Sequence, residues 1–526
     1  MDKTYPIDIY GIKKIGIEEW FNHYYVPVTG REYYGLYNKV SSIYLSLLKN
    51  NSEILYLIGN ANTTIIQLVS TYLLELLTLS RLKMSGYEYV VGKERVGIQE
   101  YISMFNFPSL SGMKLIGEHA NSLNFPERIK NIFRVLKYNF ELPHLMGKKL
   151  LNSISNPHFL IGNRMQQEVV AFCKENSISP IHLHPLLFAK KTRLVDGFQQ
   201  LPEMEVFVNK FLYEIKESYS FVDETAFERL KVHVADYFSN SLMLFYQNLA
   251  FMKKFDLRPL LVTGLGHPIH RIFCSAWRYA GGKVIGFSHG NSYCHDYTPK
   301  IYYELNMVDL YVASTQGHKE IVSQSAKDFM PDYKIPNIIN LKKNIYNPIF
   351  SKLQNNKTVN KIKKVMIING LLKGYFSVDT EYHPFAFLYN DLKLIKILKK
   401  AGYYVIYKPD FHELNETKSI FETYVDEVII ERFEDVYSYA DCIFWSSSPY
   451  STTFGFGLLS NKPIVFMNVK GYIWHPRVFE LLEKRCSVVK AEAVDGRIVF
   501  DEKDVLNAVQ ESISKVSYDI LYEFAF

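Results

Sequence analysis

Between residues 289 and 304, His289, Gly290, Asn291, Asp296 and Glu304 crowd into one polar stretch flanked by the apolar runs "KVIGF" and "MVDLYVAS". An imidazole with a reference pKa near ~6.5 accepts or donates a proton at neutral pH. Asp296 and Glu304 can orient it, act as base, or attack a sugar carbon as nucleophile. A second concentration of polar groups is Ser446, Ser447, Ser448, Ser451, Thr452 and Thr453, set between an apolar run and a helical pattern. One hydroxyl is enough to cap a helix. Six hydroxyls in eight residues, beside the free N–H groups of a helix start, suit a phosphate or a ribose. Lys408–Pro409 closes the apolar run "YYVIYKPD", where an ammonium can pair with a phosphate, and Asn369–Gly370 closes "KVMIING", where backbone can approach a ligand.

These groups need elements to hold them. One grammar recurs along the chain: a short apolar run, a turn, then a helical pattern. It is read at 54–59 with the helix that follows, through "HFLIGNRMQQEVVAFCKENSISPIHLHPLL", in "RPLLVTGLGHPIHRIFCSAWRYAGGKVIGFSHG" and in "MVDLYVASTQGHKEIVSQSAKD". Strands that are apolar throughout and alternate with helices predict a parallel sheet covered on both faces. Residues 202–256 read as mainly helical and lack that alternation. The polar stretch 345–362, rich in Asn and Lys, reads as a linker. After it the same grammar resumes at 364–370, 384–401, 403–410, 442–447 and 462–468. The expected organisation is therefore an N-terminal α/β domain over 1–345, with a helical insertion at about 202–256, and a C-terminal α/β domain over 346–526. Doubly wound sheets bind ligands at the carboxyl ends of their strands. The two polar turns are thus expected to look into one central cleft.

Composition narrows the function classes. A chain of 526 residues with 48% hydrophobic and 22% charged residues is an ordinary globular length and balance for two or three domains. A net charge of +6 suits an anionic small molecule or a peripheral visit to an acidic membrane surface, and argues against a nucleic-acid partner. The five cysteines, Cys173, Cys274, Cys294, Cys442 and Cys486, are scattered, which argues against a disulfide framework or zinc site and for a reducing, cytoplasmic setting. The opening residues carry no apolar core of signal-peptide length. The stretch 63–83 carries Gln67, Ser70, Thr71 and Glu75 and reads as a buried helix rather than a membrane span. No Walker-type or G-x-G-x-x-G loop follows a strand, so an ATPase or dinucleotide enzyme is not expected.

"FSHGN", "YYEL", "DLYVASTQGHKE", "YKPD" and "SSSPYSTTFGFGLLSNKPIVF" together resemble the GT-B glycosyltransferases, and within them bacterial capsule and surface-carbohydrate transferases. These include enzymes using CMP-activated Kdo and sialic-acid-like sugars, and related CDP-glycerol transferases. The resemblance covers about 258–470; this chain has Lys408–Pro409 where the CMP-sugar enzymes usually read H-P. It implies two Rossmann-like domains facing a cleft, with the nucleotide-sugar donor held by the second. On that model Lys408, Pro409, Asn369, Gly370, Ser446 to Ser448 and Ser451 to Thr453 hold phosphate and ribose. His289 with Asp296 or Glu304 serves proton transfer, beside Gly290 and Asn291. A CMP donor has one phosphate, so neither metal nor other cofactor is expected. The acceptor implied is a surface polysaccharide or lipid-linked glycan at the inner face of the membrane. The alternatives are a CDP-glycerol or CDP-ribitol polyol-phosphate transferase, a non-catalytic glycan-binding protein, and a UDP-sugar epimerase.

Overall fold

A computed structural model describes residues 3–6, 9–24, 27–49, 51–90, 158–162, 166–183, 201–253, 256–266, 268–288, 301–331, 333–354, 359–368, 384–409, 420–446, 452–470, 474–494, 497–515 and 517–519. The strands Lys3–Pro6 (β1) and Tyr87–Val90 (β2) form a parallel pair. Phe159–Ile161 (β3), Ile181–Leu183 (β4), Leu260–Val262 (β5), Val284–Phe287 (β6), Leu310–Ala313 (β7) and Asn337–Asn340 (β8) make a six-stranded sheet. Its order is β4-β3-β5-β6-β7-β8 and all its pairs are parallel. Lys364–Ile368 (β9), Tyr404–Lys408 (β10), Glu427–Val428 (β11), Cys442–Trp445 (β12), Ile464–Val469 (β13), Ser487–Val494 (β14) and Arg497–Val499 (β15) make a seven-stranded sheet. Its order is β11-β10-β9-β12-β13-β14-β15, parallel except for the antiparallel β14–β15 pair.

The chain is thus α/β with parallel sheets, as the apolar runs require. Every residue of β3, β5, β6 and β12 is buried, because helices cover both faces and leave no position for an outward polar side chain. The expected linker near 345 falls between β8 and β9. Within it, Asn347–Gln354 is helical. Ile349, Phe350 and Leu353 form an apolar stripe there that packs onto the second sheet's core, a period hidden by the surrounding Asn and Lys.

The run at 54–59 is not a strand. It lies in helix Glu53–Ala61, whose N-cap Ser52 accepts from the Leu55 amide. The cap and the buried Leu55, Ile58 and Ala61, spaced three apart, outweigh the β-propensity of the run. Helix Thr64–Met84 follows; by length and composition it could cross a membrane, but just over half of its most apolar window is buried inside the fold. Residues 202–256 supply helices Pro202–Ser218 and Glu224–Met252. The first two helices, Ile9–Ile15 and Ile17–His23, place Ile12 and Trp20 in the core of the seven-stranded sheet rather than the six-stranded one.

Candidate functional site

The seven-stranded sheet changes direction at β9. The chain runs from β9 to β10 and β11 on one side, then returns to β12 and β13 on the other. Such a reversal leaves an open crevice at the carboxyl ends of the strands on either side. The register brings the relevant ends level: Ile368 pairs with Lys408 on one flank and with Trp445 on the other. The next residues along the three strands are Asn369, Pro409 and Ser446. Two of the sequence-predicted groups, Lys408–Pro409 and Ser446, separated by tens of residues, therefore converge on the end of β9 because the strands are parallel and in register.

Beneath these ends lies a group the sequence reading missed. Asp391, in helix Pro384–Lys400, is fully buried. The Tyr407 hydroxyl donates to its Oδ2 at 2.6 Å, and the Ser446 hydroxyl donates to its Oδ1. Ser446 Oγ also lies 3.5 Å from the Ile368 carbonyl oxygen. One carboxyl thus ties together the ends of β10 and β12 and, through Ser446, β9. Burial pushes the Asp391 carboxyl up to about 7 against the pull of its two hydrogen bonds. Ser446 itself is fully buried and supports the crevice from below. Lys408 is buried too, and its Nζ donates to the Pro409 carbonyl at 3.1 Å.

Helix Thr452–Leu459 begins with Thr452, and Thr453 on its first turn is partly exposed. The helix sits tightly on β12: a Cβ at Gly457 would come within 2.4 Å of the Trp445 ring, so only glycine allows this approach. Phe454 meets the same ring edge-on at 5.0 Å. The register and direction of the helix start are therefore fixed by packing. His289, Gly290, Asn291, Asp296, Asn369, Gly370, Ser447, Ser448 and Ser451 lie outside the described residues.

The six-stranded sheet reverses between β3 and β5. There Gly162, at φ +96°, lies so close to Thr263 that a Cβ would stand 2.2 Å from its hydroxyl. His182 Nε2 donates to the Gly162 carbonyl at 2.6 Å. Ser288, just past β6 and just before His289, is buried, and Gln166 donates its side-chain amide to the Ser288 carbonyl. Glu304, in helix Ile301–Leu305, accepts at 2.8 Å from the hydroxyl of buried Tyr311 on β7. Past β7, the Ser314 backbone N–H donates to His318 Nδ1 at 3.4 Å, which leaves the ring proton on Nε2. Burial pushes the His318 imidazole down to about 4, so it is neutral at pH 7.

Asp391, Tyr407 and His318 went unread as site groups. For Asp391 a signal existed: the pair Asn390–Asp391 interrupts the apolar sequence "FAFLYNDLKLIKIL". His318 is one residue past the "STQG" turn and carries no such mark.

No protein-family model matches the chain, and comparison with curated proteins gives no match. Among solved structures it is similar to one described as the crystal structure of a GtfA/B complex, at 11% identity and a TM-score of 0.30. That match covers 54% of this chain and 58% of the other, less than two thirds of its length.

Proposed function

We propose that the chain is a glycosyltransferase of GT-B type that moves a sugar from a nucleotide-activated donor to a bacterial surface glycan or lipid-linked acceptor. The observation that carries this reading is the convergence of Ile368, Lys408–Pro409 and Ser446 at the reversal point of a parallel sheet, beside the start of a tightly seated helix. A phosphate is served there by one lysine, several hydroxyls and the free amides of a helix start.

The favoured donor is a CMP-linked acidic sugar, whose single phosphate suits one cation and a neutral cradle without a metal. In this reading Ser447, Ser448, Ser451, Thr452 and Thr453 contact phosphate and ribose, while Ser446 holds the turn from beneath. The six-stranded sheet serves the acceptor. His289 follows the buried Ser288 and moves the proton of the attacking hydroxyl, with Asp296 or Glu304 as its partner or as nucleophile. The Tyr311 hydroxyl fixes the Glu304 carboxylate for either role. A lipid-linked acceptor would bring the enzyme to the inner face of the membrane as a peripheral protein.

The test is transfer of radiolabelled sugar from CMP-sugar donors by the wild type and by His289→Ala, Asp296→Asn, Glu304→Gln and Ser447→Ala, each checked for folding by circular dichroism. Losses of about 100-fold or more are expected at the proton-transfer group and at the nucleophile, if there is one. Near-normal turnover in all four variants rejects the site. CDP-glycerol supplied as donor, with the product's mass measured, separates sugar transfer from polyol-phosphate transfer. No thermal shift with CMP, CDP, UDP or GDP would favour a non-catalytic glycan-binding role.

A further inference from the structure

A fully buried carboxyl is a costly way to join strand ends. An asparagine in the place of Asp391 would accept from Tyr407 and bond Ser446 equally well, with no ionisable group to desolvate. What only the acid adds is a proton that can come and go. The groups facing it make that exchange possible. From β10 there is Tyr407. From β12 there are Ser446 and, further along the same face, Cys442, whose thiol burial pushes up to about 12 and so keeps neutral. From β9 the inward residues Val365 and Ile367 are aliphatic. From helix Glu502–Glu511 they are Val505, Ala508 and Val509. Lys393, two residues further along Asp391's own helix, is turned to the Phe500 carbonyl and ring. Lys408 follows Tyr407 in the strand and so leaves from the opposite face of the sheet. Among the described residues, no cation forms an ion pair with Asp391.

We infer that Asp391 is a positioning residue that couples ligand binding to proton uptake: an anion seated on the ends of β9, β10 and β12 favours the neutral acid beneath it. The inference rests on the reading of those ends as a phosphate site. Two like charges stacked across one turn repel, so the bound anion draws a solvent proton onto the carboxylate, and release of the anion returns it. The proton has a structural consequence. A neutral carboxyl holds its own hydrogen, so Ser446 no longer needs to donate to it, and the Ile368 carbonyl at 3.5 Å is its alternative acceptor. Protonation thus moves the hold of Ser446 from the helix toward the end of β9, where the candidate ligand residues Asn369 and Gly370 begin.

The experiment is isothermal titration of CDP into the full chain and into Asp391→Asn between pH 6 and 8.5, each in two buffers of different ionisation enthalpy. Because CDP's own ionisation is common to both proteins, their difference isolates Asp391. Wild-type affinity is expected to fall about tenfold more than that of Asp391→Asn as pH rises across this window, with proton uptake lost in the variant. Tyr407→Phe removes a hydrogen bond that favours the carboxylate, so it should move the wild-type midpoint to higher pH. Identical pH profiles and proton uptake in wild type and Asp391→Asn overturn the coupling while leaving the nucleotide reading intact. Should Asp391→Asn fail to fold, an unchanged midpoint in Tyr407→Phe overturns the coupling. Absence of CDP, CMP, UDP and GDP binding by the wild type at every pH removes the nucleotide reading, and the coupling with it.

Discussion

Arg271 carries a guanidinium into the core of the N-terminal half with only 1% of its surface exposed. Its acceptors are neutral: the carbonyls of Ala61, Asn60, Leu265 and Tyr303, the Thr63 hydroxyl and the Asn306 side-chain oxygen. Burial lowers its pKa to about 10, which still leaves it charged at neutral pH. The group fastens the break between helices Glu53–Ala61 and Thr64–Met84 to helix Pro268–Tyr279. Arg271→Met should lose about 3 kcal/mol or more in urea unfolding, because several buried carbonyls are left unpaired at once. Arg271→Lys should recover little of that, since an ammonium has three donors for six acceptors. None of this was legible in "GLGHPIHRIF", where an arginine on an amphipathic helix reads as solvated. The contrast with Ser446 is instructive: its place at a strand end was legible, but a sequence does not say that its hydroxyl turns to a helix more than 50 residues earlier. Glu304 shares that fate, since its bond to Tyr311 depends on how helix Ile301–Leu305 lies against β7.

At the scale of elements, the parallel strands were the most legible part, because full burial leaves a mark that needs no partner to be read: a run of apolar residues ended by Gly, Ser or Pro. Helix Glu53–Ala61 shows the failure of the same rule, since a helix buried nearly all round writes a similar run. Helix Glu224–Met252 extends the point. It buries Leu230, Val234, Phe238, Leu242 and Phe245, and among them the fully buried Asn248, whose side-chain amide has neither atom paired among the described residues. A buried amide without partners costs more than an apolar group of its volume. Asn248→Leu should therefore raise stability by about 1–2 kcal/mol, read as a higher urea midpoint with unchanged slope. A fall instead would mean that Asn248 is satisfied by a partner that stabilises the fold.

At the scale of the molecule, the two halves of the chain are laced together. Trp20, Phe21 and Tyr24 pack around Tyr389, with Phe21 and Tyr24 stacked on its ring at 4.7 and 4.8 Å. Glu18 pairs with Lys396 at 2.6 Å, and Arg497 donates to the Asn22 carbonyl at 3.1 Å. The chain then runs back into helix Gly30–Leu48 of the other half. Elsewhere Tyr346 donates to the buried Glu168 at 3.0 Å, and Arg477 pairs with Glu320 at 3.1 Å. The sequence of residues 9–23 does not show this attachment, because a partner more than 350 residues away leaves no local trace. The surface ion pair adds little, so the aromatic cluster must carry the attachment. Trp20, only 3% exposed, is its largest member, and Trp20→Ala should cost about 3–5 kcal/mol. Hydrogen exchange locates that loss. If residues 9–23 belong to the core of the seven-stranded sheet, amides of helix Pro384–Lys400 lose protection together with them, while β5 and β6 keep theirs. If exchange quickens only within 9–23, these helices are an appendage that the sheet can lose without loosening, and the two halves are held by other contacts, among them those at Glu168, Glu320 and Ile321.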